Sequence, residues 1–259
     1  MQRLNRNRRA IRLARGMQAR CLMDRLFERL PLAISLPHAG REVPGPLAKL
    51  CRLGADRISA AADLESGAIF RPLADIVEVF VTTKVARVIV DPNRAEDDRR
   101  RDGVVKTHAS GEDAVFRRPL AETEIEGLIW RYHRPYHAAL ARSAARQRFG
   151  LDCHTRPAAA APQGAGKPAP RPRAWLGNAG GRSCSQETLD GLTQCLGKYL
   201  GGPVAINRHD DDGYITWSRP GGIPWVELAV SQGQWMSLTD KRAAVRAALI
   251  EFCKQSKLL

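Results

Sequence analysis

Residues 149–157, FGLDCHTRP, decide how the rest of the chain is read. A segment patterned as a helix precedes them. Phe149 to Leu151 begin a short apolar run, Asp152, Cys153 and His154 follow side by side, and the chain then enters an Ala/Pro/Gly-rich loop at 157–173. A strand over 149–153 that stops in such a loop delivers its last polar side chains to the edge of a sheet. Successive strand residues face opposite ways, so Cys153 points away from His154. That argues against a Cys–His nucleophile and leaves the thiol to the core.

Outward from this strand, the same grammar repeats. RLPLAISLPHAG carries an apolar run, Leu32 to Leu36, that stops at Pro37-His38-Ala39-Gly40. VEVFVTTKVARVIVDPNR holds two β-branched runs, the second ending in Asp91-Pro92-Asn93-Arg94, while RISAAADLESGAIFRPLADIV has helical spacing. LAETEIEGLIWRYHRPYHAALARSAARQRFG reads as one helix, capped near Thr123 and stopped by Gly150. Helices are expected near 186–199 and 238–256, and strands at 203–207 and 223–230. Strands alternating with helices mean one α/β domain over 30–259, its sheet mixed and largely parallel and flanked by helices.

Composition narrows the classes. The 259 residues are 44% hydrophobic, and no window approaches the roughly 18 uninterrupted apolar residues of a membrane span. Six scattered cysteines without a CxxC pair suit free thiols in a reducing cytoplasm. The net charge of +14 is concentrated: the first 20 residues hold seven Arg and no acid. Residues 1–29 are therefore read as a basic arm. It is solvated, touches RNA or anionic lipid, or lies upstream of a true start at Met17 or Met23. No alternation of aromatic and basic residues marks an RNA-binding sheet.

The chemistry-bearing residues fall at expected strand ends: His38, Asp91 with Asn93 and Arg94, and Asp152 with His154. Glu227 sits inside the apolar run WVELAV. In open α/β sheets, ligands bind beyond the carboxyl ends of strands, where distant residues converge. Two His and a carboxylate are the protein shell of a catalytic zinc, and a further buried Glu serves as general acid and base. An apolar strand disfavours that Glu's charged form. Asp152 suits a partner for an imidazole. Taken singly, each feature reads equally as a hydrogen-bonded turn His, an Arg salt bridge or a structural ion pair.

Together, SLPHAGREVP, VIVDPNR, YHRPYHAAL, LDCHTRP, LGNAGGRSC and NRHDDDGYIT followed by PWVELAV resemble the N-formylglutamate amidohydrolase family in order and spacing. The likeness spans residues 30–235. It implies a zinc-carboxypeptidase-like fold and Zn2+-dependent hydrolysis of the amide bond of an N-acyl, such as N-formyl, amino acid. The implied metal ligands are His38, His154 and a third acid. Related carboxypeptidases place this acid where Arg41 stands and Glu42 is one residue late, whereas Asp63 lies where the family carries an acid before a Gly-containing helix, so the resemblance favours Asp63 over Glu42. The resemblance also gives Asn93 and Arg94 the substrate's oxygens and Glu227 the general acid/base role. Thr155 departs from the Ser the family often carries. A substrate with two carboxylates needs another cation, from Arg41, Arg87, Arg156, Arg171 or Arg173. The competing class is a binding protein: an inactive family member or a nucleic-acid partner of the basic arm.

Overall fold

Alternation along neighbouring strands builds the core on one face of the sheet and a polar surface on the other. The computed structural model describes residues 29–109, 113–142, 147–157, 172–207 and 213–258. The basic arm up to residue 28 and most of the Ala/Pro loop, Arg171 included, lie outside the described residues. Six strands form one sheet: β1 (Leu30–Leu36), β2 (Val77–Thr82), β3 (Phe149–Arg156), β4 (Ala174–Gly177), β5 (Val204–Ile206) and β6 (Trp225–Ser231). Their order is β2-β1-β3-β6-β4-β5, and every pair is parallel except β4 with β6. The mixed, largely parallel α/β sheet expected from the sequence is therefore present.

The helices are α1 (Ala55–Ala61), α2 (Ser66–Phe70), α3 (Glu122–Leu128), α4 (Arg134–Ala141), α5 (Gln186–Leu200), α6 (Tyr214–Ser218) and α7 (Leu238–Gln255). On one face of the sheet, Leu32, Ile34, Leu36, Leu151, Cys153, Leu228 and Val230 meet Ile69 of α2, Leu192 and Leu196 of α5, and Leu249 and Phe252 of α7. Each such side chain contributes about 1.5–3 kcal/mol by leaving water. Cys153 is thus a core thiol, and the five described cysteines are all free.

On the opposite face, Ala33 and Trp225 at the start of the strands pack with Tyr136, Leu140 and Ile215, and Ala229 packs with Trp175 and Ala205 toward the β4–β5 edge. Gly150 is required beside Trp225, because a Cβ would come within 2.2 Å of that ring. Further along the same face stand Ser35, Asp152, His154 and Glu227, all buried. Register places Ser35 opposite Asp152, and Asp152 opposite Glu227.

Two expectations are corrected. The helix expected from Leu120 to Gly150 is continuous from Glu122 to Ala141 but not regular: a π-helical turn, Ile129–His133, joins α3 to α4. Pro135 supplies the reason, since it offers no N–H and its ring crowds the carbonyl four residues back. The run Val88–Val90 is not a sheet strand. It turns, with Ile89 N–H donating to Ala86 O at 2.9 Å, and only Val90 pairs, antiparallel to Val105. Its β-branched side chains fill a second core with Val104, Val115, Phe116 and Ile129. Burial, rather than strand pairing, explains their composition.

Candidate active site

Two imidazoles and one carboxylate meet where β1 and β3 end. His38 follows β1, His154 lies near the end of β3, and Asp63 sits in the turn between α1 and α2. His154 Nδ1 is 2.7 Å from Asp63 Oδ2, and His38 Nδ1 is 3.6 Å from the same oxygen. The two rings are tilted, with centroids 4.8 Å apart. Asp63 N–H donates to His38 O at 3.1 Å, which ties the turn to the end of β1. Glu42 is bridged to Val85 and does not line the cavity over the histidines. The geometry brings Asp63, and not Glu42, to the two histidines.

Each imidazole is oriented from behind by a buried carboxylate. His38 Nε2 donates to Asp91 Oδ1 at 2.7 Å, and His154 Nε2 lies 3.1 Å from Asp152 Oδ2. Asp91 is held in turn by Arg87 at 3.2 Å, Lys106 at 3.0 Å and its own Asn93 N–H at 3.0 Å. Ser35 Oγ donates to Asp152 Oδ1 at 3.0 Å, and Asn93 Nδ2 to Asp152 Oδ2 at 2.7 Å. Carboxylate–histidine pairs of this kind fix the tautomer that leaves Nδ1 free to ligate a metal. His38 Nδ1 is buried with no hydrogen-bond partner, an atom aimed at something other than protein.

The charges fit a bound cation. Burial opposes the charged form of Asp63, but His38 and His154, through charge and hydrogen bonds, hold its pKa below the usual carboxylate range. Burial likewise opposes protonation of His154, yet Asp152 and Asp63 raise its pKa well above the ordinary value. Two carboxylates thus stabilise positive charge at that ring. A second triad, Asp152, His154 and Glu227, is also close enough to share an ion. Its acids are already engaged: Asp152 by Ser35 and Asn93, Glu227 by Arg156 and by Gly213 N–H at 3.2 Å. Asp63 meets both imidazoles, so His38, Asp63 and His154 form the group that places two rings and one carboxylate within reach of a single metal ion.

A cavity of about 320 Å³ opens over this centre and is lined by both histidines, Asp63, Asn93, Arg94 and Glu227, with Arg87 and Arg156 on its walls. All six residues singled out in the sequence therefore reach one cavity. Asn93 also braces the scaffold, for its Oδ1 accepts from Ile215 N–H at 2.9 Å. Arg94 pairs with Asp102 at 2.9 Å and separates the cavity from a neighbour lined by Arg101 and Lys106. Glu227 is buried but not in purely apolar surroundings, because Arg156 pairs with it. Among the other arginines, Arg173 stacks over Trp235 at 4.5 Å, and Arg41 lines an adjoining cavity that shares Asp63.

The family profile of the N-formylglutamate amidohydrolases matches residues 30–236. The chain belongs to that family. Within the N-formylglutamate amidohydrolase family it is a hydrolase acting on an amide bond. Its fold is similar to the crystal structure of an N-formylglutamate amidohydrolase from Ralstonia eutropha JMP134 (TM-score 0.73, 20% identity, covering 90% of this chain and 96% of the other). A gene product of Agrobacterium tumefaciens is also similar (TM-score 0.67, 16% identity, covering 88% and 91%). At those identities the likeness is one of fold. No curated protein matches the chain.

Sequence reasoning underrated Asp91, read as part of a turn, and missed Lys106, Ser35 and Gly213. A signal existed for Asp91, since the imidazole of His38 needs an orienting acid as much as that of His154 does. Lys106 after two valines was a cation in an apolar run. Ser35 and Gly213 carry no such mark. Gly213 matters through contact, because a Cβ there would fall 2.0 Å from Asn93 Nδ2.

Proposed function

We propose that the protein is a zinc-dependent hydrolase of N-acyl amino acids with an acidic side chain, N-formylglutamate among them. The unpartnered His38 Nδ1, facing the Asp63 carboxylate that His154 also meets, carries this reading. His38, Asp63 and His154 would hold the ion. Bound there, zinc supplies Lewis acidity, polarising a carbonyl and making water a stronger nucleophile at neutral pH.

The chain's own residues do the rest. Glu227, on the same face of the sheet as His154, takes the proton of the attacking water on its carboxylate and returns it to the leaving amine nitrogen. Gly213 N–H, bonded to Glu227 Oε2, and Arg156 aim that carboxylate. Arg94 grips a substrate carboxylate through its planar fork. Asn93, expected from the sequence to hold a substrate oxygen, has its amide engaged by Asp152, His154 and Ile215 and instead keeps the loop that carries Arg94 in place. The cavity beyond Arg94, with Arg101 and Lys106 on its walls, offers cationic surroundings to a second acidic group. About 320 Å³ of space suits a small molecule.

Purification without chelators should give about one zinc per chain, and His154→Ala should lose most of it, because a two-ligand site is not preorganised. A panel of N-formyl, N-acetyl and N-succinyl amino acids, assayed with added zinc, should show the fastest hydrolysis for acidic members. Metal-free protein that gains no activity with zinc would sink the proposal.

A further inference from the structure

Lys241, in the first turn of α7, is the most deeply buried cation among the described residues, with no exposed side-chain surface. It lies outside residues 30–236, the span of the family profile. A buried ammonium is costly unless its hydrogen bonds are met. Here Nζ donates to Glu65 Oε2 at 2.6 Å and to Gly233 O at 2.8 Å, with the Trp235 ring 5.1 Å away. Gly233 N–H returns a bond to Glu65 Oε1 at 3.2 Å.

Glu65 is the unusual member. Its φ of 68° puts a non-glycine residue in the left-handed region, a conformation kept only where the surroundings impose it. It stands two residues after Asp63. Around it, Thr155 Oγ1 donates to Leu64 O, and Ser66 Oγ to Asp63 O at 2.8 Å. The strained turn is thus tied to β3 on one side and to α7 on the other.

We propose that Lys241 is a positioning residue for Asp63. Its ion pair with Glu65 clamps the left-handed turn that aims the Asp63 carboxylate at His38 and His154. Buried ion pairs stabilise a fold little compared with apolar packing, but they can fix one geometry. The inference rests on the metal reading of the site.

The test is Co2+ titration of the full chain followed by d–d absorption, beside thermal melts without metal. In Lys241→Met with Glu65→Gln, no unpaired charge is left buried, so the melt should stay near wild type. Co2+ affinity should fall about 10–100-fold, as when an outer partner of a metal ligand is lost, and the absorption should change shape. Glu65→Gln alone keeps an acceptor for the ammonium and should give a smaller loss, which serves should the double variant fail to fold. Arg242→Ala removes another anchor of α7, a 3.1 Å bond to Ala68 O, and should leave Co2+ binding unchanged. Wild-type affinity and spectrum in the double variant and in Glu65→Gln, or an equal loss in Arg242→Ala, would overturn the clamp alone. A wild-type chain that binds no Co2+ would remove the metal site, and the clamp with it.

Discussion

Along β3, Phe149, Leu151 and Cys153 face α5 and α7, while Gly150, Asp152 and His154 lie on the opposite face: Gly150 under the Trp225 ring, Asp152 bonded to Ser35, and His154 on the cavity wall. The same alternation runs along β6, where Val226, Leu228 and Val230 oppose Trp225, Glu227 and Ala229. One backbone therefore serves two purposes with opposite rules. The apolar face needs volume, which several residue types can supply. The polar face needs particular atoms at particular places, since each buried charge there is held by partners from other elements. A mutation on one face should read out as stability, and on the other as chemistry.

Glu227→Gln should show the largest effect. It keeps the shape and removes the proton carrier, so turnover should drop about 10²–10⁴-fold while the metal and the melting temperature are retained. Loss of metal would instead make Glu227 a ligand through the second triad, and unchanged turnover would return it to an ion pair with Arg156.

The converse test is Leu151→Ala, one residue before Asp152 and on the other face. It should cost about 2–5 kcal/mol of stability through the cavity it leaves. Turnover per folded, metal-loaded molecule should stay close to wild type. A large fall in turnover at full folding would show that the two faces are coupled and break the comparison.

This division also explains what could be read before the structure. Leu32 to Leu36, Phe149 to Leu151 and WVELAV announced the central strands, because burial on a sheet leaves a local pattern. His38, His154, Asn93, Arg94 and Glu227 were legible as short motifs. Partnership was not, because it is set by register and by turns. The ion pair of Arg156 with Glu227 joins residues 71 apart, and Lys106 reaches Asp91 from a segment off the sheet. Val88 to Val90 were misread for the same reason: they are as buried as strand residues but pack in the second core.

Arg94→Lys tests the polar face at its rim. The charge and the pairing with Asp102 can survive, but the planar fork is lost. Catalytic efficiency should fall by about 2 kcal/mol, with metal content and stability unchanged. Efficiency equal to wild type on the best substrate would reduce Arg94 to a turn residue.

The smallest effect concerns what holds Asn93 and Arg94 in place. The π-helical turn sets His133 and His137 in contact, ring centroids 4.4 Å apart, with Nε2 of each bonded to a carbonyl of the site loop: Arg94 O at 2.9 Å and Pro92 O at 2.8 Å. Burial, then the charge of His133, pushes the His137 pKa from 6.5 down to about 4. A folded-state value below the unfolded one means that folding favours the neutral ring. The stability this gives is complete above about 6.5 and is lost as pH falls through about 4. His137→Gln keeps an N–H able to reach Pro92 O and cannot titrate. Thermal melts from pH 8 to pH 4 should therefore nearly coincide at the top of the range. Toward acid, the wild type should lose stability more steeply than the variant. Parallel slopes would mean that His137 is not the ring that titrates, and that the loop carrying Arg94 is held without regard to its charge.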